Sequence, residues 1–159
     1  MKAKEGVLGY LGRVLTAELT AVHQYLLHAA MCKNWGYQRL HEHFSHLADE
    51  EVRHSSGLID HVLYLDGTPQ VEHVDTIAGG SSVAELLEAD LRFELEDAEL
   101  LREAIAHCSK VGDFTTRHLL EHMIIDTEEH IDWFETQLRT IKQVGLALYL
   151  AEHIQDGKS

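Results

Sequence analysis

Three glutamates and two histidines stand where this chain should carry only apolar residues. Leu8, Leu11, Leu15, Glu18, Val22 and Tyr25 recur every three or four positions, so they share one helix face. Leu40, Phe44, Leu47, Glu51, His54 and Leu58 repeat the pattern. So do Leu87, Leu91, Glu94, Ala98, Leu101 and Ile105, and then Leu120, Met123, Thr127, His130 and Phe134. Each stripe is interrupted near its middle, and the interruptions point into the same core. An ionised carboxylate in an apolar core is costly unless it is paired or bound to a metal. Glu18, Glu51, His54, Glu94 and His130 together therefore read as a dinuclear metal site inside a helix bundle.

The spacing supports that chemistry. Glu51 and His54 form a Glu-x-x-His pair, which sets both donors about one turn apart on one face. In di-iron carboxylate bundles two helices each give one Glu and the other two each give Glu-x-x-His. Glu18 and Glu94 fill the single-Glu roles. The second pair should occupy positions 127 and 130, but the chain has Thr127 and His130. Glu128 lies about 100° further round the helix, so it reaches the site only if the helix turns or bulges. Three carboxylates and two neutral imidazoles leave two divalent cations with one net positive charge. A neutral hydroxyl at position 127 ligates weakly, which predicts weaker binding at one metal position and slower oxidation. The competing reading is a polar core in which the same Glu and His side chains bond only to one another.

The elements that must position these residues are long helices. The chain has 159 residues and a single Pro, enough for one domain over 1–159. The pattern predicts helices over 5–34, 37–65, 82–112 and 113–144, with Ser82 and Glu85 as a capping box and Asp113 as an N-cap. Asp66-Gly67-Thr68-Pro69 breaks the second helix, and the next dozen or so residues lack a helical period. Short first and third connections make antiparallel hairpins, while the long middle one can cross the bundle's length. The expected fold is all-α: a four-helix bundle over 5–144 with one long crossover, and a short fifth helix over 146–155. Leu146, Leu148, Leu150 and Ile154 give that last helix an apolar surface that a complete bundle cannot cover, so it should pack against copies of itself.

Composition narrows the partners. Lys and Arg total 13 against 27 Asp and Glu, a formal charge of −14. Such a chain is a poor nucleic-acid binder and a good concentrator of cations. Thirteen His add metal affinity near neutrality. Cys32 and Cys108 have no paired spacing, which fits a reducing compartment and excludes a thiolate metal site. No signal peptide or membrane-spanning run is evident, so a cytoplasmic protein is expected.

The chain resembles the bacterioferritins, within the ferritin-like iron-storage proteins. Gln24-Tyr25-Leu26-Leu27-His28-Ala29, Lys33-Asn34-Trp35-Gly36, Asp90-Leu91 with Glu94-Leu95, Leu101-Arg102-Glu103-Ala104-Ile105 and Glu129-His130-Ile131-Asp132-Trp133 carry the likeness, which covers nearly the whole length. It implies a hollow 24-mer shell that stores a ferric mineral, with the fifth helix lining its four-fold channels. Glu18, Glu51, His54, Glu94 and His130 match that family's ferroxidase ligands, which oxidise Fe²⁺ with O₂ or peroxide. His46 and Glu50 resemble an inner-surface iron site, with Glu where the family has Asp. Two positions depart from the pattern. Thr127 replaces the bridging Glu, and Val52 replaces the haem-ligating Met, so haem b is not expected through this subunit. Both losses suggest a specialised subunit that coassembles with a complete bacterioferritin chain, and an electron-donor protein for iron release is a further expected partner. A DNA-protecting miniature ferritin is disfavoured by the within-chain ligands and the absence of a basic tail. A rubrerythrin-type peroxide reductase is disfavoured by the cysteine count.

Overall fold

The computed structural model describes residues 1–154, and the stripes form helices as their period requires. These are α1 (Val7–Asn34), α2 (Gln38–Tyr64), α3 (Val83–Val111), α4 (Phe114–Val144) and α5 (Leu146–Ala151). Every regular element among the described residues is helical. The fifth helix ends at Ala151, with Glu152 as its C-cap, short of the expected 155, which lies with the last residues of the 1–159 domain outside the described residues.

Both short connections turn on glycine. Gly36 (φ 91°) and Gly112 (φ 74°) occupy the left-handed region that side chains resist. They let Tyr37 N–H donate to Cys32 O at 2.9 Å and Asp113 N–H to Cys108 O at 2.8 Å, which closes each helix end. Asp113 then caps α4 by accepting from Thr116 N–H at 3.0 Å. Ser82 caps α3 by accepting from Glu85 N–H. The return arm of this capping box is displaced by one residue, because the Glu85 carboxylate accepts from Ser81 N–H at 2.7 Å.

α1 packs along α2, α3 along α4, and α1 also meets α3, so two antiparallel hairpins form one bundle. The non-helical crossover after α2 runs along α1. Asp75 N–H donates to Thr20 Oγ1, and Ala78 N–H donates to Gln24 Oε1. His28 Nε2–H donates in turn to Ala78 O at 2.6 Å. The apolar core is divided. One cluster contains Tyr25, Phe44, Leu47, Leu86, Leu87 and Phe134, and the other contains Leu11, Leu15, Leu58, Leu101, Leu120 and Met123. Glu18, Glu51, Glu94, Thr127 and His130, all buried, fall in sequence between the two along their helices.

α5 folds back onto the first cluster. Tyr149 is buried there, and its hydroxyl donates to Gln137 Oε1 at 2.7 Å, while Leu146 and Leu150 are partly covered. Leu148 and Ile154 remain exposed. The bundle thus covers more of α5 than its sequence suggested, because Tyr149 anchors it at its centre. No helix among the described residues is long and apolar enough to cross a membrane.

Candidate metal centre

Four helices bring five donors to one point at mid-bundle. Glu18 comes from α1, Glu51 and His54 from α2, Glu94 from α3 and His130 from α4. They form two overlapping triads, Glu18–Glu51–His54 and Glu51–Glu94–His130, each with one ligand atom per residue within 4.8 Å of the others. Glu51 belongs to both. A carboxylate has two oxygens, so Glu51 can serve one cation with each and bridge them.

The imidazoles are oriented alike. His54 Nδ1 faces Glu18 at 3.3 Å and Glu51 at 3.5 Å. His130 Nδ1 faces Glu94 at 3.2 Å and Glu51 at 3.6 Å. The outer nitrogens are each held by an acid: His54 Nε2–H donates to Asp126 at 2.8 Å, and His130 Nε2–H donates to Glu50 at 2.6 Å. Metal-ligating histidines need such an outer partner to fix the ring and leave the inner nitrogen free to ligate. The Tyr25 hydroxyl donates to Glu94 Oε1, fixing that carboxylate as well. These features suit a pair of divalent cations, with two carboxylates and one imidazole to each and the Glu51 carboxylate shared.

The remaining expected residues divide. Thr127 is buried at the expected depth, but its hydroxyl contacts Met123 O at 3.2 Å and Asp97 Oδ2 at 3.4 Å. Glu128 lies on the outer face of an unbroken α4, paired with Arg102 at 3.4 Å, and contributes nothing to either triad. The bulge it needed is absent because α4 keeps its helical hydrogen bonding throughout. His46 and Glu50 are paired at 3.0 Å, but Glu50 also holds His130, so this pair adjoins the buried centre. Val52 is half exposed and offers no donor atom. Asp97 and Asp126 went unnoticed in the stripes. Asp126 precedes position 127 just as Glu50 precedes Glu51, one residue off the inward face, and that regularity could have found it.

The match to known proteins accords with this geometry. Residues 8–144 match the model of the ferritin-like domain. A bacterioferritin of Mycolicibacterium paratuberculosis is 40% identical over 152 residues, covering 96% of each chain. A bacterial ferritin of Pseudomonas aeruginosa is 39% identical over 155 residues, 97% of this chain and 100% of the relative. One from Synechocystis sp. is 40% identical over 151 residues, 94% of this chain and 97% of its own length. The chain belongs to the bacterioferritin family.

In this bacterioferritin-family chain, burial and charge set the protonation of the centre. Burial works against charge on His54, yet the hydrogen bond and charge of Glu51, with those of Asp126, raise it to about 9. His130 also rises to about 9 against its burial, through Glu94 first and then Glu51 and Glu50. Burial raises Glu94, and the charge of Glu51 adds to this against the hydrogen bonds from His130 and Tyr25. Burial likewise pushes Asp97 well above the carboxylate range, assisted by the charges of Glu94 and Glu51.

A stability prediction follows from these directions. Folded pKa values above the ordinary histidine value of 6.5 mean that stabilisation is complete below about pH 6.5 and is lost as pH rises through about 9. The raised Glu94 and Asp97 act in the same sense, starting from lower pH. The loss is on the order of 3 kcal/mol per imidazole. Scanning calorimetry of chelator-treated protein should therefore show a melting temperature that falls between pH 6.5 and 9. Adding Zn²⁺, which displaces the inner protons, should restore more at pH 8 than at pH 6. A melting temperature that rises over this range would show that the imidazoles are not paired with the acids.

Proposed function

We propose that the chain is one domain over residues 1–159 and a subunit of a cytoplasmic iron-storing shell, the 24-mer of its family. In this reading Glu18, Glu51, His54, Glu94 and His130 hold two Fe²⁺ ions as the substrate of a ferroxidase step. The observation that carries it is the sharing of Glu51 between two triads whose imidazoles are already anchored from outside. The names of the relatives, bacterioferritin and bacterial ferritin, support iron as the cargo. The exposed Leu148 and Ile154 supply apolar surface for contacts between subunits.

The residues act by placement. The Glu51 carboxylate holds the two ferrous ions as neighbours, so each can give one electron to a single O₂ or peroxide molecule. The oxidant takes up two protons with those two electrons. Displaced protons leave His54 and His130 when iron enters, and Asp126 and Glu50 keep both rings aligned while they do. Iron then moves into the shell and is deposited as ferric mineral. With Val52 in place, residue 52 supplies no haem ligand.

Stopped-flow oxidation of Fe²⁺ by the homogeneous protein tests this reading. A rapid saturable phase consuming about two irons per chain is expected. Oxidation that is linear in iron with no saturable phase would exclude the ferroxidase.

The alternative is a weakly catalytic or non-catalytic shell subunit that coassembles with a complete bacterioferritin chain. Thr127 favours it, because its hydroxyl faces Met123 O and Asp97 and bridges nothing. Native mass spectrometry of shells from the source cell separates the two: a single subunit mass excludes coassembly.

A further inference from the structure

Where α4 lacks its carboxylate, α3 presents one. Asp97 follows Glu94 by three residues, so the two side chains lie on neighbouring positions of one helix face. Asp97 is 5% exposed, and its Oδ2 stands 3.4 Å from Thr127 Oγ1. Its Oδ1 is enclosed and has no hydrogen-bond partner. Asp90, two turns earlier on α3, shows what a structural acid looks like in the same core. It is fully buried, and its oxygens accept from Gln24 at 2.6 Å and contact His28 Nδ1 at 2.7 Å. Asp97 lacks that provision. Its other side lines a cleft of about 600 Å³ between α1 and α3, with Gly12, Thr16 and Phe93. Asp97 therefore lies at the wall of that cleft and beside Thr127, just outside the two triads.

We propose that Asp97 is the fourth carboxylate of the dinuclear centre, supplied from α3 in place of the one absent at position 127. The inference rests on the ferroxidase reading of the centre and adds a ligand to it. Its charge closes the account left open by the sequence: four carboxylates and two neutral imidazoles balance two divalent cations. It also explains why a small residue occupies 127. A glutamate there would direct a second carboxylate at Asp97 Oδ2, so the two positions exchange the acid and do not add one.

Co²⁺ serves as a probe that resists oxidation. Calorimetric titration, corrected by the His54→Ala/His130→Ala double variant, should give two sites per wild-type chain. In Asp97→Asn, a nearly isosteric change, one of the two should weaken by about 10- to 100-fold. Thr127→Glu should restore that site in the Asp97→Asn background and improve it much less when Asp97 is kept. Equal affinities in wild type and Asp97→Asn, or a Thr127→Glu effect independent of residue 97, would overturn the proposal and leave the ferroxidase reading standing. Anomalous diffraction from Co²⁺-soaked wild-type crystals needs no variant. Cobalt at coordinating distance from an Asp97 oxygen supports the proposal, and two cobalt ions in the triads with Asp97 remote from both would overturn it. No cobalt among the five donors would defeat both readings.

Discussion

Glu51→Ala is expected to abolish both metal positions together, whereas Glu18→Ala should abolish only one. Each triad contains Glu51, and the inner nitrogen of each histidine faces one of its oxygens, at 3.5 Å for His54 and 3.6 Å for His130. Removing it leaves Glu18 with His54 and Glu94 with His130, two single-carboxylate fragments with nothing between them. Even the loss of an outer partner of a metal ligand typically costs 10- to 100-fold in affinity or activity, so loss of a shared ligand should cost at least ~100-fold in the rapid oxidation rate. Glu18→Ala keeps the Glu51–Glu94–His130 triad intact. It should retain roughly one tightly bound Co²⁺ per chain and lose the paired electron transfer that needs two irons. Metal titration with stopped-flow oxidation makes the comparison, and far-UV circular dichroism with shell size shows that both variants assemble. If Glu51→Ala and Glu18→Ala lose the same amount, Glu51 is not shared and the bridge is wrong.

Most of this centre could be read from helical period alone. A buried face must be apolar, so each polar residue in a stripe announces a partner, and Glu18, Glu51, His54, Glu94 and His130 all meet at one depth. What period cannot show is what lies at the edge of the face. The third stripe passes through Ala98, and Asp97 sits beside it, within the angular width that a core-facing helix buries. Only the packing of α3 against α4 shows that Asp97 faces Thr127. Glu50 and Asp126 sit one residue before an inward position, Glu128 one residue after, and all three are flank residues by sequence. Packing decides between them: the first two reach across to a histidine, and the third turns outward to Arg102. The crossover was legible by its breakers and its length. Its course along α1 was not, because it depends on side chains of Thr20, Gln24 and His28 that bond backbone atoms some fifty residues away.

The largest stability effect should come from that same course, through Asp90→Ala. Asp90 is completely buried, accepts from Gln24 Nε2–H and shares a proton with His28 Nδ1. Gln24 and His28 use their other ends to hold Ala78, so one carboxylate fixes the two side chains that pin the crossover. Burial pushes the Asp90 carboxyl up, while the hydrogen bonds from His28 and Gln24 partly hold it down. Alanine leaves a buried amide and a buried imidazole nitrogen without a partner, which costs about 3–5 kcal/mol. An exposed pair such as Arg102–Glu128 contributes no more than ~1 kcal/mol, so its removal serves as the contrast. Asp90→Asn should lose much less than alanine, since its carbonyl can still accept from Gln24 and its amide can donate to His28 Nδ1. Thermal unfolding should rank the variants in that order, and hydrogen exchange should rise at Asp75 and Ala78 in Asp90→Ala alone. Asp90 lies one turn from Glu94 but contacts none of the five donors in the triads, so Co²⁺ stoichiometry should survive wherever the variant stays folded. Loss of metal with no loss of stability would reverse the assignment and place Asp90 in the centre rather than in the frame that supports it.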